Sequence, residues 1–414
     1  MRDRLIKLYG NNAGVLEYQN NRIKKLEQIY KEHFGFNNLS FFSTPGRTEL
    51  GGNHTDHNNG RVLASSINLD SLAAAVKNDS QIVRIISEGF EEMFEVDLRN
   101  LQVVEEEKES TNSLIRGMAA RFADLGLNIG GFNAVITSDV LRGSGLSSSA
   151  SIEVLIGTIF NYLFNDGKIA AEEIAKAGQF AENKFFGKPC GLMDQMACAC
   201  GGIIAIDFKD NNIPIIEKIE FDFEKQNYNL IVVDTGGGHA DLTDDYAAIP
   251  KEMKETAELL DANLMREVEL DSLLKGIPEL RKKVGDRAVL RSLHFLEENL
   301  RVSKQSEALL KNDFKTFLEL IKDSGNSSYK YLQNIFTTKN TSEQPVSLAL
   351  AITELFINGI GEGACRVHGG GFAGTILVFL PEDKVKEYKE FVQPVFGDNS
   401  VTVLSIRQTG TTKI

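Results

Sequence analysis

The order in which strand-like and helix-like segments follow one another is the feature that most constrains the fold of this chain. Runs rich in β-branched residues, such as "QIVRIIS" and "YNLIVVD", predict strands. Apolar residues at three- or four-residue spacing in "SLIRGMAARFADLG" predict an amphipathic helix. Because the two kinds of segment mix without a strict strand–helix–strand repeat, the sequence favours an α+β fold over a doubly wound parallel sheet.

Length and charge narrow the class of protein. A chain of 414 residues is long for one compact core, so we expect two domains. Its composition, 42% hydrophobic and 25% charged, is that of a soluble globular protein. The net charge of −13 is spread along the chain, which argues against nucleic acid as the main partner because phosphate binding needs a basic surface.

The start of the chain and the cysteines bear on the compartment. The first residues show no apolar core of a signal peptide, and no apolar run is long enough to span a bilayer. The four cysteines form no Cys-x-x-Cys pair. We therefore expect a cytoplasmic protein with reduced thiols and no membrane partner.

A glycine- and serine-rich loop, "GSGLSSSAS" at residues 143–151, lies between a predicted strand and an apolar helix. Glycines let backbone amides converge on an oxyanion, and a helix N-terminus adds free donors. The loop is not a Walker A motif, since no Gly-Lys-Ser/Thr closes it. Phosphate binding is one interpretation, and a serine-rich helix N-cap is the other.

Two further segments combine polar groups with glycine. In "ENKFFGKPCGLMDQ", Asp194 follows an apolar patch, where a carboxylate is either an N-cap or a functional group because burying it unpaired is costly. The same segment contains Glu182. In "RVHGGGFAG", residues 366–374, the glycines predict backbone pressed against a ligand or a tight turn that packs two domains.

The stretch "GRTELGGNHTDHNNG", residues 46–60, is so polar that we expect little of it to be buried in a core. It could be a metal site, a solvated loop or a pocket for a polar small molecule. The pattern of His54, Asp56 and His57 suggests a metal, but no HExxH motif or Cys/His cluster supports one. Arg47 with Asp56 is more typical of a polyol site, since charged groups, imidazole and amide can each bind several hydroxyls.

Taken together, these segments resemble the galactokinases of the GHMP family of small-molecule kinases. The first family motif, Pro-Gly-Arg followed by Gly-Glu-His-Thr-Asp-Tyr-Asn, is matched by "PGRTELGGNHTDHNNG". The serine loop is matched by "GSGLSSSAS", and Cys-Gly-Ile-Met-Asp-Gln by "CGLMDQ". The third motif, Arg-Met-Thr-Gly-Gly-Gly-Phe-Gly-Gly, is matched by "RVHGGGFAG".

The resemblance implies a fold and an activity. The fold would be the two-domain GHMP kinase fold, with an N-terminal α+β domain at residues 1–212 and a C-terminal ferredoxin-like domain at residues 213–414. The active site would lie in the cleft between them. The activity would be ATP-dependent phosphorylation of the anomeric hydroxyl of galactose, with ATP and magnesium required. The partners would be small molecules, and the chain would be a monomer or a weak homo-oligomer.

The resemblance also implies residue roles. Asp194 would accept the proton of the anomeric hydroxyl, and Arg47 would keep Asp194 ionised and stabilise charge on the γ-phosphate. Magnesium would be held by Ser149 and Glu182. The sugar pocket would be lined by Asn53, His54, Asp56, Gly191 and Tyr246. The ATP phosphates would lie against Gly143, Ser144, Gly145, Leu146, Ser147, Ser148, Ser149, Gly369, Gly370 and Gly371.

Departures from the family motifs concentrate at the sugar end. Asn53 stands where the family has glutamate, which we expect to bind near carbon six of the sugar, and asparagine would tolerate a carboxylate there. A kinase for galacturonate or arabinose is therefore the alternative. A non-catalytic sugar sensor is a further alternative, against which the complete "SSSAS" run argues. The other departures are Glu49 and Gly51 in place of the usual asparagine and isoleucine, His57 in place of tyrosine, Leu141 in place of proline and His368 in place of threonine.

Overall fold

A computed structural model describes residues 1–35, 38–140, 145–188, 190–210, 213–237, 242–372 and 374–414. The helices are α1 (Arg2–Tyr9), α2 (Ala13–Phe34), α3 (Thr111–Asp124), α4 (Ser148–Phe164), α5 (Ala171–Ala181), α6 (Met193–Cys200), α7 (Thr243–Glu258), α8 (Leu270–Lys283), α9 (Gly285–Leu310), α10 (Phe314–Ser327), α11 (Pro345–Ile360) and α12 (Val385–Phe396). The strands are β1 (Ser40–Gly51), β2 (Arg61–Lys77), β3 (Ile82–Ser87), β4 (Phe94–Asp97), β5 (Phe132–Ser138), β6 (Ile203–Asp207), β7 (Ile215–Ile219), β8 (Tyr228–Asp234), β9 (Ala364–His368), β10 (Thr375–Pro381), β11 (Val401–Leu404) and β12 (Thr412–Lys413).

The larger sheet has eight strands in the order β12-β1-β2-β5-β3-β4, with β6 paired to β2 and β7 to β6. Side chains of successive strand residues point to opposite faces. Accordingly, Ala73 and Ala75 of β2 join a core with α3, α4, α5 and α6, whereas Leu72 and Ala74 join a core with α2. The sheet is therefore covered by helices on both faces.

The smaller sheet is antiparallel, with four strands in the order β11-β8-β10-β9. Ile376 and Val378 of β10 pack in one core with α11 and α12. Leu377 and Phe379 point the other way, into a core that also holds Leu50 of β1. This second core joins the two sheets and places β1 beside β9.

Mixed helices and sheets of this kind confirm the α+β prediction. Two strands from beyond residue 212, β7 and β12, complete the larger sheet. The division into domains at residues 212 and 213 stays a prediction. None of the helices in the described ranges is both long and apolar enough to cross a membrane.

The expectation that little of residues 46–60 is buried is wrong. Residues 46–51 lie in β1, and much of the stretch is fully enclosed, including Thr48, Asn53 and Thr55. Polar side chains tolerate this burial because they find hydrogen-bond partners elsewhere in the chain. Thr55, for example, donates its hydroxyl to the carbonyl of Arg61 at 2.6 Å.

Candidate active site

An arginine–aspartate pair forms the centre of the site. Asp194 lies in the first turn of α6, and Arg47 reaches it from β1. Arg47 donates from Nε to Asp194 Oδ1 at 2.7 Å and from Nη2 to Oδ2 at 2.9 Å, a bidentate arrangement. The arginine side chain is 6% exposed and the aspartate side chain 34%. The carboxylate is therefore held from behind and remains open to a ligand.

The electrostatics of Asp194 favour the ionised form. Burial alone would raise the pKa of Asp194, but the charge of Arg47 and hydrogen bonds from Arg47 and Ser147 lower it overall. The carboxylate is therefore an acceptor at neutral pH. It can orient a hydroxyl that donates to it.

The serine loop touches this pair directly. Gly143 and Ser144, like the departure at Leu141, lie outside the described residues. Gly145 accepts a hydrogen bond at its carbonyl from Arg47, and Ser147 donates its hydroxyl to Asp194. Ser147 has φ 57°, in the left-handed region, immediately before α4 begins. The sequence predicts a phosphate contact for Ser147 but not its bond to Asp194, because the two residues are 47 positions apart.

A large cleft opens beside the start of α4. Its volume is about 1410 Å³, and Ser148 and Ser149 form part of its wall. The rings of Phe90 and Phe94 line it too, packed edge to face at 5.1 Å. This cleft, with hydroxyls at one side and aromatic surface at another, was not foreseen from the sequence, because its wall comes from several separate segments.

His54 and Tyr246 lie together against the third glycine motif. His54 Nε2 is 2.9 Å from the carbonyl of Gly370, and the Tyr246 hydroxyl donates to the carbonyl of Gly371 at 2.9 Å. The two rings stack with centroids 6.5 Å apart. Since a carbonyl only accepts, His54 Nε2 carries the proton and Nδ1 is an acceptor. Within the described part of the chain, that buried Nδ1 has no partner.

Asp56 is packed against the segment that leads into α6. A Cβ built on Gly191 would lie 1.7 Å from Asp56 Oδ2, so any larger residue at 191 would displace the carboxylate. The Asp56 side chain is 11% exposed. Two pairs of the predicted sugar residues are thus neighbours, His54 with Tyr246 and Asp56 with Gly191.

Asn53, predicted to line the sugar pocket, makes its hydrogen bonds within the protein. It is fully buried, and its amide donates to Glu49 Oε1 at 3.0 Å and to the Gly369 carbonyl at 2.7 Å. Its Oδ1 accepts from Asn334 at 2.8 Å and from Ser328 at 3.3 Å. The amide's donors and acceptors are all used inside the protein, which argues against the predicted contact with a sugar near carbon six.

Around Asn53, a buried ionic contact joins the two sheets. Arg366 of β9 donates from Nη2 to Glu49 Oε1 of β1 at 2.6 Å, and both side chains are enclosed. His368, two residues further along β9, accepts at Nε2 from the backbone amide of Glu49 at 3.3 Å. The other ring nitrogen lies 3.1 Å from the Thr375 hydroxyl. The sequence singled out Glu49 and His368 as departures but not their partners.

Three histidines whose pKa values are lowered in the folded chain make its stability depend on pH. Burial lowers the pKa of His54 to about 3 and also lowers the pKa values of His294 and His368, where Arg366 adds to the effect. Their unfolded pKa is about 6.5. The unfolded state therefore takes up protons first as the pH falls below that value, and stability present at pH 7 is lost.

We expect His368→Thr to reduce this loss between pH 7 and pH 5. The reduction is at most about 2 kcal/mol, the value for one imidazole that stays neutral in the folded state over that range. Denaturant unfolding at pH 7, 6 and 5 measures the free energy of unfolding of each variant. His33→Thr is the control, because His33 is exposed on α2. An identical pH dependence in His368→Thr and the native protein would contradict the neutral, buried state of His368.

The predicted magnesium ligands are oxygen groups of the kind that this cation prefers. Glu182 begins a π-helical turn that continues α5, and its carboxylate is almost fully buried. Its Oε2 accepts from Gln195 Nε2 at 2.9 Å, while Oε1 lies 3.4 Å from Lys188 Nζ. In the described part of the chain, the Ser149 hydroxyl forms no hydrogen bond with protein. Both oxygens therefore fit a cation.

No group of three or more His, Cys, Asp or Glu side chains in the described ranges is arranged to hold a metal. Mg²⁺ commonly takes one or two protein ligands together with phosphate oxygens and water. A two-ligand site is therefore compatible with magnesium that arrives with a nucleotide.

Comparisons with known proteins connect this geometry to a family. The galactokinase galactose-binding signature matches residues 28–77, and the GHMP kinase N-terminal domain matches residues 113–202. A galactokinase of Actinobacillus pleuropneumoniae is 29% identical over 390 residues, covering 92% of this chain and 94% of the relative. Both matched regions are ones that define GHMP kinases, and the chain resembles that family over most of its length. The two matched regions contain Arg47, the serine loop and Asp194.

Further GHMP kinases are similar to this chain in sequence or in fold. A galactokinase of Clostridium tetani is 27% identical over 380 residues, covering 91% of this chain and 93% of the relative. The crystal structure of Lactococcus lactis galactokinase complexed with galactose has a TM-score of 0.80 at 23% identity and covers 95% of this chain and 100% of its own. The mevalonate kinase of Methanococcus jannaschii has a TM-score of 0.60 at 18% identity, covering 89% and 98%. The predicted GHMP fold is confirmed.

Proposed function

We propose that this protein transfers the γ-phosphoryl group of ATP to the anomeric hydroxyl of galactose, giving galactose 1-phosphate. The observation that carries this proposal is the contact between a bidentate Arg47–Asp194 pair and the serine loop at the edge of a large cleft. Because of this contact, the carboxylate that would accept the sugar hydroxyl lies beside the loop that would bind the phosphates of ATP. The similarity to galactokinases supports galactose as the acceptor.

Asp194 and Arg47 would divide the chemistry. Asp194 accepts a hydrogen bond from the anomeric hydroxyl of the sugar. This bond holds the hydroxyl oxygen in line with the γ-phosphorus, so that the bound sugar is already oriented for the reaction. Asp194 takes the proton as the new bond forms. Arg47 fixes the carboxylate plane from one side and places positive charge where charge spreads over the transferring group. The bond from Ser147 holds the second carboxylate oxygen.

The phosphates would lie along residues 143–149 and the N-terminus of α4, where backbone amides and the helix dipole favour negative charge. When bound, magnesium supplies positive charge that neutralises the phosphates, and Ser149 with Glu182 would hold it. The glycines at 369–371 bring the second sheet to this region: the carbonyl oxygens of Gly370 and Gly371 fix His54 and Tyr246. The purine would occupy the aromatic side of the cleft.

The sugar hydroxyls would be recognised by Asp56 and by the unpartnered Nδ1 of His54, with the backbone at Gly191 allowing close approach. Since the Asn53 amide is engaged within the protein, the reason to prefer galacturonate falls away. The protein would act in the cytoplasm as a monomer or a weak homo-oligomer, and its two domains would divide near residue 212.

A coupled ADP-release assay over galactose, galacturonate, arabinose, glucose and N-acetylgalactosamine tests the proposal. We expect the highest kcat/KM with galactose, since the hydroxyl-binding groups are those that the family motif contains. A higher kcat/KM with galacturonate would support the alternative substrate. ADP release that depends on none of the five sugars would contradict the kinase activity and favour a sensor.

A further inference from the structure

One amide group bridges two buried carboxyl groups beneath the site. Gln195 follows Asp194 in α6 and is fully enclosed. Its Nε2 donates to Glu153 Oε2 at 3.0 Å and to Glu182 Oε2 at 2.9 Å. An amide nitrogen has two protons, so each carboxyl group receives one of them.

The bridge connects three elements that carry proposed site residues. Glu153 lies four residues after Ser149 on α4, so both side chains are on the same face, one turn apart. Glu182 lies after α5, and Gln195 lies beside Asp194 on α6. A shift of the Gln195 side chain would therefore change the position of Glu182 relative to Ser149.

The surroundings make a purely structural role a poor explanation. Glu153 and Gln195 sit beside an apolar core whose nearby members include Val154, Ala177 and Met196. Within the described ranges, Glu153 Oε1 and Gln195 Oε1 are buried and have no partner. Unpartnered buried oxygens are costly, and an apolar pair of similar volume would avoid that cost. The polar pair therefore provides something other than packing.

We propose that Glu153 and Gln195 are positioning residues that set the Glu182 carboxylate for magnesium. With Oε2 held by Gln195, Glu182 presents Oε1 towards Lys188, whose side chain is 65% exposed. Oε1 is the oxygen left for a cation. Glu153 acts indirectly. Its Oε2 accepts from the Gln195 amide and so keeps that amide oriented to donate to Glu182. This inference rests on the proposed role of Glu182.

Outer hydrogen bonds of this kind typically change metal affinity by about 10- to 100-fold when removed. We expect Gln195→Met, which keeps the volume but loses the donor, to weaken metal binding by at least about tenfold. We expect Glu153→Gln to bind metal as the native protein does, because the new amide oxygen can still accept from Gln195. Glu153→Ala should fall between them.

The readout is Mn²⁺ binding to the protein with a non-hydrolysable ATP analogue, followed by electron paramagnetic resonance of free Mn²⁺. Binding of the analogue in EDTA and binding of galactose are measured in parallel, and both should stay within about twofold of the native values if the loss lies in one metal ligand. Gln179→Met is the matched control, since Gln179 lies on α5 and donates to the Cys190 carbonyl rather than to a carboxyl group.

Unchanged Mn²⁺ affinity in Gln195→Met would overturn the inference. If this variant instead lost Mn²⁺ binding and metal-free binding of the analogue to the same extent, the role of Gln195 would be structural and the inference would also fail. If Glu153→Ala does not fold, Gln195→Met and Glu153→Gln still decide between the outcomes. Native protein that binds Mn²⁺ with the analogue but transfers no phosphate to galactose would defeat the proposed function instead, and leave the positioning role standing.

Discussion

Asp194→Asn is expected to lower kcat by about 10²- to 10⁴-fold, the range associated with loss of a general base. The asparagine amide cannot take a proton, and its NH₂ group would face the Arg47 guanidinium where a carboxylate oxygen now accepts. ATP binding should remain close to native, because the loop amides do not depend on the charge at 194. Steady-state kinetics with galactose and calorimetric titration with ATP measure the two quantities.

Asp166→Asn is the control for this experiment, since Asp166 lies on the surface with its side chain 82% exposed. It should leave both quantities unchanged. Loss of ATP binding in Asp194→Asn, together with loss of turnover, would assign Asp194 a structural role. Turnover within a few-fold of native would exclude it as the proton acceptor.

Asn53→Glu is expected to destabilise the protein by about 3–5 kcal/mol, the cost typical of an unpaired buried charge. The new carboxylate would lie beside the carbonyl of Gly369 and the carboxylate of Glu49, both of which now accept from the Asn53 amide. The galactokinase motif has asparagine at the position of Glu49 and glutamate at the position of Asn53, so this chain carries the pair exchanged. Adding Glu49→Asn should recover much of the loss, because the amide introduced at position 49 could donate to the carboxylate introduced at position 53.

Denaturant unfolding of the native protein, the two single variants and the double variant gives the coupling energy. Residues in contact typically show about 0.5–3 kcal/mol of coupling, and we expect a favourable value within that range. Additive effects of the two substitutions would contradict the pairing. A shift in sugar preference with unchanged stability in Asn53→Glu alone would return Asn53 to the sugar pocket.

The parts of the site that could be predicted are those written as short continuous runs. The serine loop precedes an apolar helix, and Asp194 lies in a short run with glycine, so local patterns marked both as candidates and the family resemblance assigned their roles. The α+β class followed from the order of strand and helix periodicities. These features depend only on residues that are close together in the sequence, so they can be recognised from one sequence.

The parts that could not be predicted depend on contacts between distant segments. The burial of Asn53 requires Ser328, Asn334 and Gly369, which lie 275, 281 and 316 positions away. For the same reason, residues 46–60 were expected to be exposed, since their polarity is visible in the sequence while their partners are not. Glu153 and Gln195 were missed because each looks ordinary within its own helix.

The identity of the product tests the central claim most directly. After incubation of the protein with ATP, magnesium and galactose, phosphorus and proton nuclear magnetic resonance can locate the new phosphate on the sugar. We predict a single sugar phosphate whose phosphorus couples to the proton on carbon one, formed in step with ADP. Phosphate on another hydroxyl, or ADP formation without any sugar phosphate, would contradict the account.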